Sequence, residues 1–511
     1  MTGKSAPAAS LRTATSWSYA LSLGKMGISL GLAFVLAAML GPRAFGVIAM
    51  ALVFVNFIEM LQQQGLMPAI VSRKTLTDRH ADTAFWIVIA VGAVCTIAGI
   101  ASASWWAEVN GLPELAPVIR VLALTVPLTS TVVIHEALLR RQLAFKQLTI
   151  RTWVSLVSGG VAGLLGALLG LGVWALVLQQ VVTATVAVVV LWTVSPWRPK
   201  FRVDRKAARE LWSYSTRAAS SSLGLFIGGR VDVLLTGLLF GPVVVGLYRL
   251  GQRLASTAVD VTARGMQAVA LPGLAGVQGD SIAFGSRLVR MQRITAALAL
   301  PLLGLLAGAA GPIEKILGPE WDGTATAIRL LAIMQAFAAI SLLLGPALQA
   351  WNRPGTLSIV IWASSALKIA ALVLAAWATP DDSMALVLLC LAMIVATGVS
   401  TVVIVWVSSR VLHLRVREML RAWAPGAIAG FVAVSISGGI VRFAVLPALF
   451  ELLLAGVAGA IGAGLCLWAS APEFRSMVGT LRARSVRGPK VAIAQKSVSD
   501  AAAHGPVSER A

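Results

Sequence analysis

Charge is what this sequence has least of. Lys, Arg, Asp and Glu together make 12% of its 511 residues, about half the share of a soluble globular domain, in which roughly a quarter of residues are charged. A chain this long with so few charges must be solvated largely by lipid. Cysteine is scarcer still. Cys95, Cys390 and Cys466 each fall in an apolar stretch, and none is spaced to pair with another Cys or a His. That excludes a disulfide framework or a structural metal site, and no metal or cofactor is expected. The four histidines, His80, His135, His413 and His504, lie at span ends, in loops or in the C-terminal segment, apart from any carboxylate cluster. No G-x-x-x-x-G-K-[ST] loop occurs, so ATP does not drive the chain directly. A membrane-embedded polymerase or ligase is the enzyme-class alternative. Such an enzyme holds its acceptor in a sizeable outer loop, and every outer loop here is short. The chain is therefore read as a non-enzyme.

Hydrophobic residues, by contrast, make up 58% of the chain, and the mean hydropathy is +0.85. Apolar stretches such as 85–103, 159–192 and 384–407 recur. A bilayer span needs roughly 20 such residues, and lipid offers no partner for a free backbone N–H or C=O, so these stretches must be helices. About fourteen spans are expected: 17–40, 46–70, 83–106, 116–135, 150–171 and 173–194; then 216–240, 246–270, 292–312, 326–350, 356–377 and 384–407; then 424–441 and 445–470. The fold class is an all-α polytopic membrane protein. Residues 1–16 are polar and lack a cleavage signal after an apolar stretch, so the first span is expected to serve as the targeting signal.

The net charge of +21 would suggest nucleic acid in a soluble protein, but no nucleic-acid motif accompanies it. The basic residues alternate instead. Arg73, Lys74, Arg140, Arg141, Arg198, Lys200, Arg287, Arg290, Arg410 and Arg417 fall in one set of loops, whereas Glu108, Glu114, Glu314, Glu320 and Asp381 fall in the other. The positive set marks the cytoplasmic side, which places both termini there.

An internal repeat divides the chain. Gly41-Pro42-Arg43-Ala44-Phe45-Gly46 follows the first span, and Gly241-Pro242-Val243-Val244-Val245-Gly246 follows the seventh, 200 positions on. Ile119-Arg120-Val121-Leu122-Ala123 matches Ile328-Arg329-Leu330-Leu331-Ala332 at an offset of 209. Six spans per unit give both halves the same orientation, with a substrate site expected between them. The expected domains are a six-helix half over 1–194, a basic cytoplasmic connector over 195–215, a second half over 216–407, two extra spans within 424–470 and a basic disordered tail over 473–511.

The motifs Leu40-Gly41-Pro42-x-x-Phe45-Gly46 and Phe240-Gly241-Pro242-x-x-x-Gly246-Leu247-Tyr248, with the basic connector beginning Trp197-Arg198-Pro199, carry a resemblance. Over roughly residues 10–470 the chain resembles the Wzx-type polysaccharide repeat-unit flippases of the multidrug/oligosaccharidyl-lipid/polysaccharide exporter superfamily. The resemblance implies a rocking carrier in the bacterial cytoplasmic membrane with a cationic central cavity. Its substrate would be an undecaprenyl-pyrophosphate-linked oligosaccharide for exopolysaccharide, capsule or O-antigen, with a polymerase and a chain-length regulator as partners. Lipid II flippases share the superfamily and are the alternative. Their long signature around the second span is missing here.

Ionisable groups at bilayer depth are costly and need a reason. Lys25 lies in span one, Arg230 and Asp232 in span seven, Lys368 in span eleven, and Arg249, Arg253, Asp260 and Arg264 in span eight, with Gln267 beyond. The span-eight residues share one narrow helical face. Span two carries Asn56, Glu59 and Gln63 on one face. The expected site is a cationic cavity of Lys25, Arg230, Arg249, Arg253, Arg264 and Lys368 that grips pyrophosphate, with Glu59, Asp232 and Asp260 as groups that could bind a coupling H⁺ or Na⁺. Gln62, Gln63, Gln64 and Trp17 are candidates for sugar contacts. The bland readings are an interfacial position for Arg249, Arg120 and Arg329, and a structural ion pair for Asp260 with Arg264.

Overall fold

The computed structural model describes residues 8–72, 77–142, 144–379, 382–444 and 446–470. Within its helices some side chains, including those of 58–69, 210–231 and Arg264, are outside the described set. The expectations for Glu59, Gln62, Gln63, Gln64, Arg230, Arg264 and the tail 473–511 therefore lie outside the described residues.

All regular structure among the described residues is helical. In chain order the helices are α1 (Ala8–Ser72), α2 (Asp78–Val109), α3 (Leu115–Ala123), α4 (Thr125–Ser130), α5 (Val133–Arg141), α6 (Phe145–Leu168), α7 (Val173–Val194) and α8 (Arg205–Ala275). Then come α9 (Ser281–Gly308), α10 (Ala310–Leu317), a 3-10 turn (Pro319–Trp321), α11 (Thr324–Ser341), α12 (Leu344–Ala350), α13 (Pro354–Trp377), α14 (Asp382–Val411), α15 (Val416–Phe443) and α16 (Ala448–Ser470). Among the described residues ten helices are long and apolar enough to cross a membrane, and an eleventh span forms if Leu115–Ser130 and Val133–Arg141, bent by 42°, count as one. The chain is a multi-pass membrane protein, and the described residues of the expected segments lie largely on helix.

α1 and α8 are each long enough for more than one crossing. At 65 and 71 residues, each would measure on the order of 100 Å if straight, far more than a hydrocarbon core of roughly 30 Å. Both break at the first glycine of the repeated motif. Gly41 has φ 71, ψ 169 and Gly241 has φ 78, ψ 174, nearly the same conformation and one that only glycine adopts without strain. Pro42 and Pro242 follow, where a missing N–H costs least at the start of a new helix.

The bends meet each other. A Cβ added at Gly46 would fall on the Pro242 carbonyl, and one at Gly246 would fall on the Pro42 carbonyl. The contact is reciprocal, as a two-fold relation between the repeats requires. Just beyond it, the buried Trp321 donates its indole N–H to the Ala37 carbonyl at 2.8 Å and sets its ring edge-on to Phe45 at 5.7 Å. One end of the bundle is thereby closed.

At the opposite end the basic segment before α8 is fastened to α2 and α5. Lys200 N donates to Asp82 Oδ1 at 3.1 Å, Asp204 N to Thr83 Oγ1 at 3.0 Å, and Trp86 Nε1 to the Lys200 carbonyl at 3.1 Å. His135 Nδ1 bonds Ser195 Oγ at 2.8 Å. Arg198 caps the end of α7, donating to the Trp192 carbonyl at 2.7 Å and to that of Ser195. Arg140 and Arg151 converge on Glu136 at 2.7 and 2.6 Å. These arginines are thus committed to the fold.

α15 docks on α9 through small residues, the usual way apolar helices approach closely in lipid. An added Cβ at Gly304 would strike Gly430, and one at Gly426 would strike Ala296. α16 follows, with Ser437 Oγ donating to the Ala455 carbonyl at 2.8 Å and Lys315 of α10 pairing with the fully buried Glu451 at 2.9 Å.

Candidate functional site: a cavity between the two bent helices

Past the bend at Gly241, α8 carries a polar stripe. Arg249, Gln252, Arg253, Ser256 and Asp260 fall within a sector about 100° wide over three helical turns, so their side chains leave the helix on one side. That side faces a cavity of about 600 Å³, within the 300–1,000 Å³ range usual for small-ligand sites. All five line it. Across from them α1 contributes Ser29 and Asn56, α7 contributes Gln179, Gln180 and Thr183, and α11 contributes Gln335. Apolar residues next to the closed end, Leu36, Phe45 and Ile48, complete the wall.

The two arginines are held differently. Arg253 reaches across to α1 and donates one guanidinium nitrogen to the Ser29 carbonyl at 2.7 Å and to its hydroxyl at 2.5 Å. Arg249 donates to Gln252 Oε1 at 2.7 Å. Gln252 in turn donates to Asp232 Oδ2 at 2.9 Å, and Tyr248 donates its hydroxyl to the same oxygen at 3.2 Å. Asp232 Oδ1 accepts from the Val233 N–H at 2.9 Å. The chain of bonds from Asp232 through Gln252 to Arg249 spans the bend at Gly241. Each guanidinium keeps N–H groups beyond those bonds, since Arg carries five.

Arg249 and Arg253 are one turn apart, and like charges at that spacing cost a few tenths of a kcal/mol even on a solvated helix. Asp260 is the one carboxylate in the lining and is itself partnered. The cavity thus has a cationic wall beside a neutral wall of amides and hydroxyls.

Of the residues expected at the site, the structure brings Arg249, Arg253 and Asp260 together, and Asn56 opposite them. Arg249 turns into the cavity and not to the interface. Asp232 lies behind the wall, buried, with both oxygens accepting hydrogen bonds. Lys25 is exposed on α1 and Lys368 half-buried on α13, and neither lines this cavity. Arg120 donates to Ser104 at 2.6 Å, near its helix end. Trp17 lies well before the lining residues of α1; its carbonyl accepts from Thr149. Sequence reasoning missed Gln179, Gln180, Thr183, Gln252 and Gln335. The signal was available in part, since two adjacent glutamines interrupt an otherwise apolar span over 173–194. Among the described residues no group of three or more His, Cys, Asp or Glu could hold a metal ion.

Comparison with known proteins agrees with this arrangement. Residues 35–326 match the polysaccharide biosynthesis protein family. The chain is 27% identical over 318 residues to the succinoglycan biosynthesis transport protein ExoT of Rhizobium meliloti (strain 1021), covering 62% of this chain and 64% of that one. It is 23% identical over 282 residues to the teichuronic acid biosynthesis protein TuaB of Bacillus subtilis (strain 168), covering 54% and 58%. The chain thus spans somewhat less than two thirds of either relative. Among solved structures, the lipid II flippase MurJ in its inward closed conformation superposes with a TM-score of 0.70 at 13% identity, covering 89% of this chain and 99% of that one. An inward-facing multidrug resistance MATE family transporter of the MOP superfamily superposes at 0.63 and 12% identity, covering 76% and 94%. These likenesses establish the fold, and the family match covers more than half of the sequence: the chain belongs to the polysaccharide biosynthesis protein family and has the fold of the MOP superfamily.

Proposed function

We propose that the chain is a flippase that carries undecaprenyl-pyrophosphate-linked oligosaccharide repeat units across the bacterial cytoplasmic membrane. The observation that carries this reading is the pair Arg249 and Arg253 lining a cavity between the two bent helices. A pyrophosphate cannot enter hydrocarbon with its charge uncompensated. Guanidinium groups in a sheltered cavity replace its hydration and grip its oxygens in pairs. The polysaccharide relatives point to the glycan class, and the MurJ likeness bears on fold alone. We include Arg264 and Arg230 in the anion path on helical position, and Lys25 and Lys368 as approaches to it. Asp260 is the lining carboxylate offered for cation coupling, with Glu59 as a second candidate. The chain works as a carrier and not an enzyme. Both termini face the cytoplasm on the alternation of loop charges, and a polymerase and chain-length regulator would receive the product.

The test is polymer export together with protein level. Arg249→Ala with Arg253→Ala should abolish export while the protein still accumulates. Lys at both positions should restore it in part, keeping the charge without the planar fork. Arg417→Ala, exposed at the start of α15, should export normally. Normal export from the double alanine variant would sink the cationic-cavity reading.

A further inference from the structure

The neutral wall offers acceptors as well as donors, and phosphate oxygens can use only the donors. Gln179 and Gln180 lie in the middle of α7, in a helix otherwise made of Val, Leu, Ala, Thr and Trp. Among the described residues their side-chain amides make no hydrogen bond to protein, and neither does that of Gln335. An amide at bilayer depth without a partner is costly. A lipid-facing helix would not retain two in succession for packing, since alanine or leucine would pack there at no such cost.

The helix behind them is shaped to allow it. Gly159 and Gly163 of α6 face α7, and a Cβ at Gly163 would meet the Cβ and Cγ of Gln179 at 2.9 and 3.3 Å. One at Gly159 would strike Thr183. The glycines give room to the stems of these polar residues, whose tips then line the cavity with Asn56. Asn56 spends one amide hydrogen on the Leu52 carbonyl at 2.6 Å, and its carbonyl oxygen stays free to accept. The groups offered are therefore uncharged, each both donor and acceptor, and concentrated on the wall facing the arginines. Vicinal hydroxyls of a sugar ring present the matching alternation of donor and acceptor, whereas phosphate oxygens present acceptors only.

We propose that Gln179, Gln180 and Asn56 form a saccharide subsite. It reads the hydroxyls of the sugar joined directly to the pyrophosphate while Arg249 and Arg253 hold the phosphates. The assignment rests on the flippase reading. It adds that the carrier selects by sugar and is not indifferent to the glycan it moves. The volume bounds what can be read: a cavity of about 600 Å³ admits the phosphates with the first sugar or two, so the distal glycan and the prenyl chain remain outside it.

The experiment measures binding to the full chain in lipid nanodiscs. The probes are undecaprenyl pyrophosphate and the same lipid bearing one glucose, one galactose or one N-acetylglucosamine. Wild type should bind at least one of the three sugar-bearing lipids tenfold or more tighter than the bare lipid. Gln179→Met with Gln180→Met keeps side-chain length and makes the span more apolar, so insertion is not at stake. It should bring that sugar-bearing lipid to within twofold of the bare one. Arg249→Ala with Arg253→Ala should weaken all four probes alike. A sugar-dependent gain that survives in the methionine variant overturns the subsite, as does a wild type that gains nothing from any of the three sugars. Undiminished binding of the bare lipid by the alanine variant overturns the phosphate reading instead, so the two failures are told apart.

Discussion

Adding a single methyl group at Gly46 should push the protein out of the conformation described here. The Cβ of alanine at that position would land on the Pro242 carbonyl, a backbone atom that cannot rotate away as the tip of a side chain could. For alanine to fit, the seam between the two bends must open by roughly 1 Å, and overpacking of this kind costs about 1–3 kcal/mol where the structure cannot relax. The carrier proposed above must populate both of its end states, which would then differ by only a few kcal/mol. A penalty of this size on the closed seam alone shifts the balance by roughly 5- to 150-fold. Gly246→Ala strikes the Pro42 carbonyl in the same way and should act in the same direction. Gly27 and Gly31 lie on the same helix as Gly46 with nothing near an added Cβ, so Gly27→Ala and Gly31→Ala serve as controls. The assay is a spin-label distance across the closed end, with one label at Arg43 and another at Val243, both exposed. The distance distribution should gain a longer population in Gly46→Ala and Gly246→Ala but not in the controls. An unchanged distribution in both seam variants would refute the argument that this reciprocal contact holds the end shut.

Two other outcomes are expected. Lys315→Met should lower the stability of the purified protein by about 3 kcal/mol, since it strands the buried Glu451 carboxylate; the partial exposure of Lys315 keeps the loss at the low end for a buried pair. Adding Glu451→Gln should recover most of that loss in thermal unfolding, and a double variant no more stable than the single one would show that the charge is not the cause. Asp260→Asn should abolish the dependence of transport on a proton or sodium gradient if Asp260 carries the coupling ion, whereas transport that stays gradient-dependent assigns Asp260 a structural role.

What the sequence made legible follows from which forces are local. Span positions could be read because each is a run of apolar residues whose length the bilayer dictates, and the described residues of those segments lie largely on helix. The Gly-Pro motifs could be read as a repeat because their offset is fixed, but not as each other's contact. The meeting of Gly46 with Pro242 joins residues 196 positions apart, and nothing local encodes it. The polar stripe of α8 was visible because helical periodicity alone puts Arg249, Arg253 and Asp260 on one face. The surroundings of Asp232 were hidden for the same local reason. A carboxylate within a span invites an ion-binding role, while the partners that occupy it, Tyr248 and Gln252, arrive only because the chain turns back at Gly241. Lys25 and Lys368 were grouped with the arginines by depth, and depth alone does not say which way a side chain points. The glutamines of α7 were passed over because neutral amides carry less weight than charges in a search for buried ions.

The geometry of α8 links the closed end to the cavity. The Gly241 bend forms part of the seam, and Arg249 and Arg253 lie two to three turns beyond it on the same rigid segment. Asp232, on the near side of the bend, bonds Tyr248 and Gln252 on the far side and so fixes the angle between the two spans. Gln252 also holds Arg249. Any motion that opens the seam by changing the angle at Gly241 must therefore strain or break the bonds to Asp232 and free Gln252, the partner of Arg249, from that anchor. Arg253 is bound instead to Ser29 of α1, so separation of α1 from α8 acts on it directly. The two cationic groups are thus tied to different parts of one movement, Arg249 to the bend and Arg253 to the gap between the helices. An anion held by both would feel the change of state through both, as the proposed carrier would require of a cavity that binds on one side of the membrane and lets go on the other.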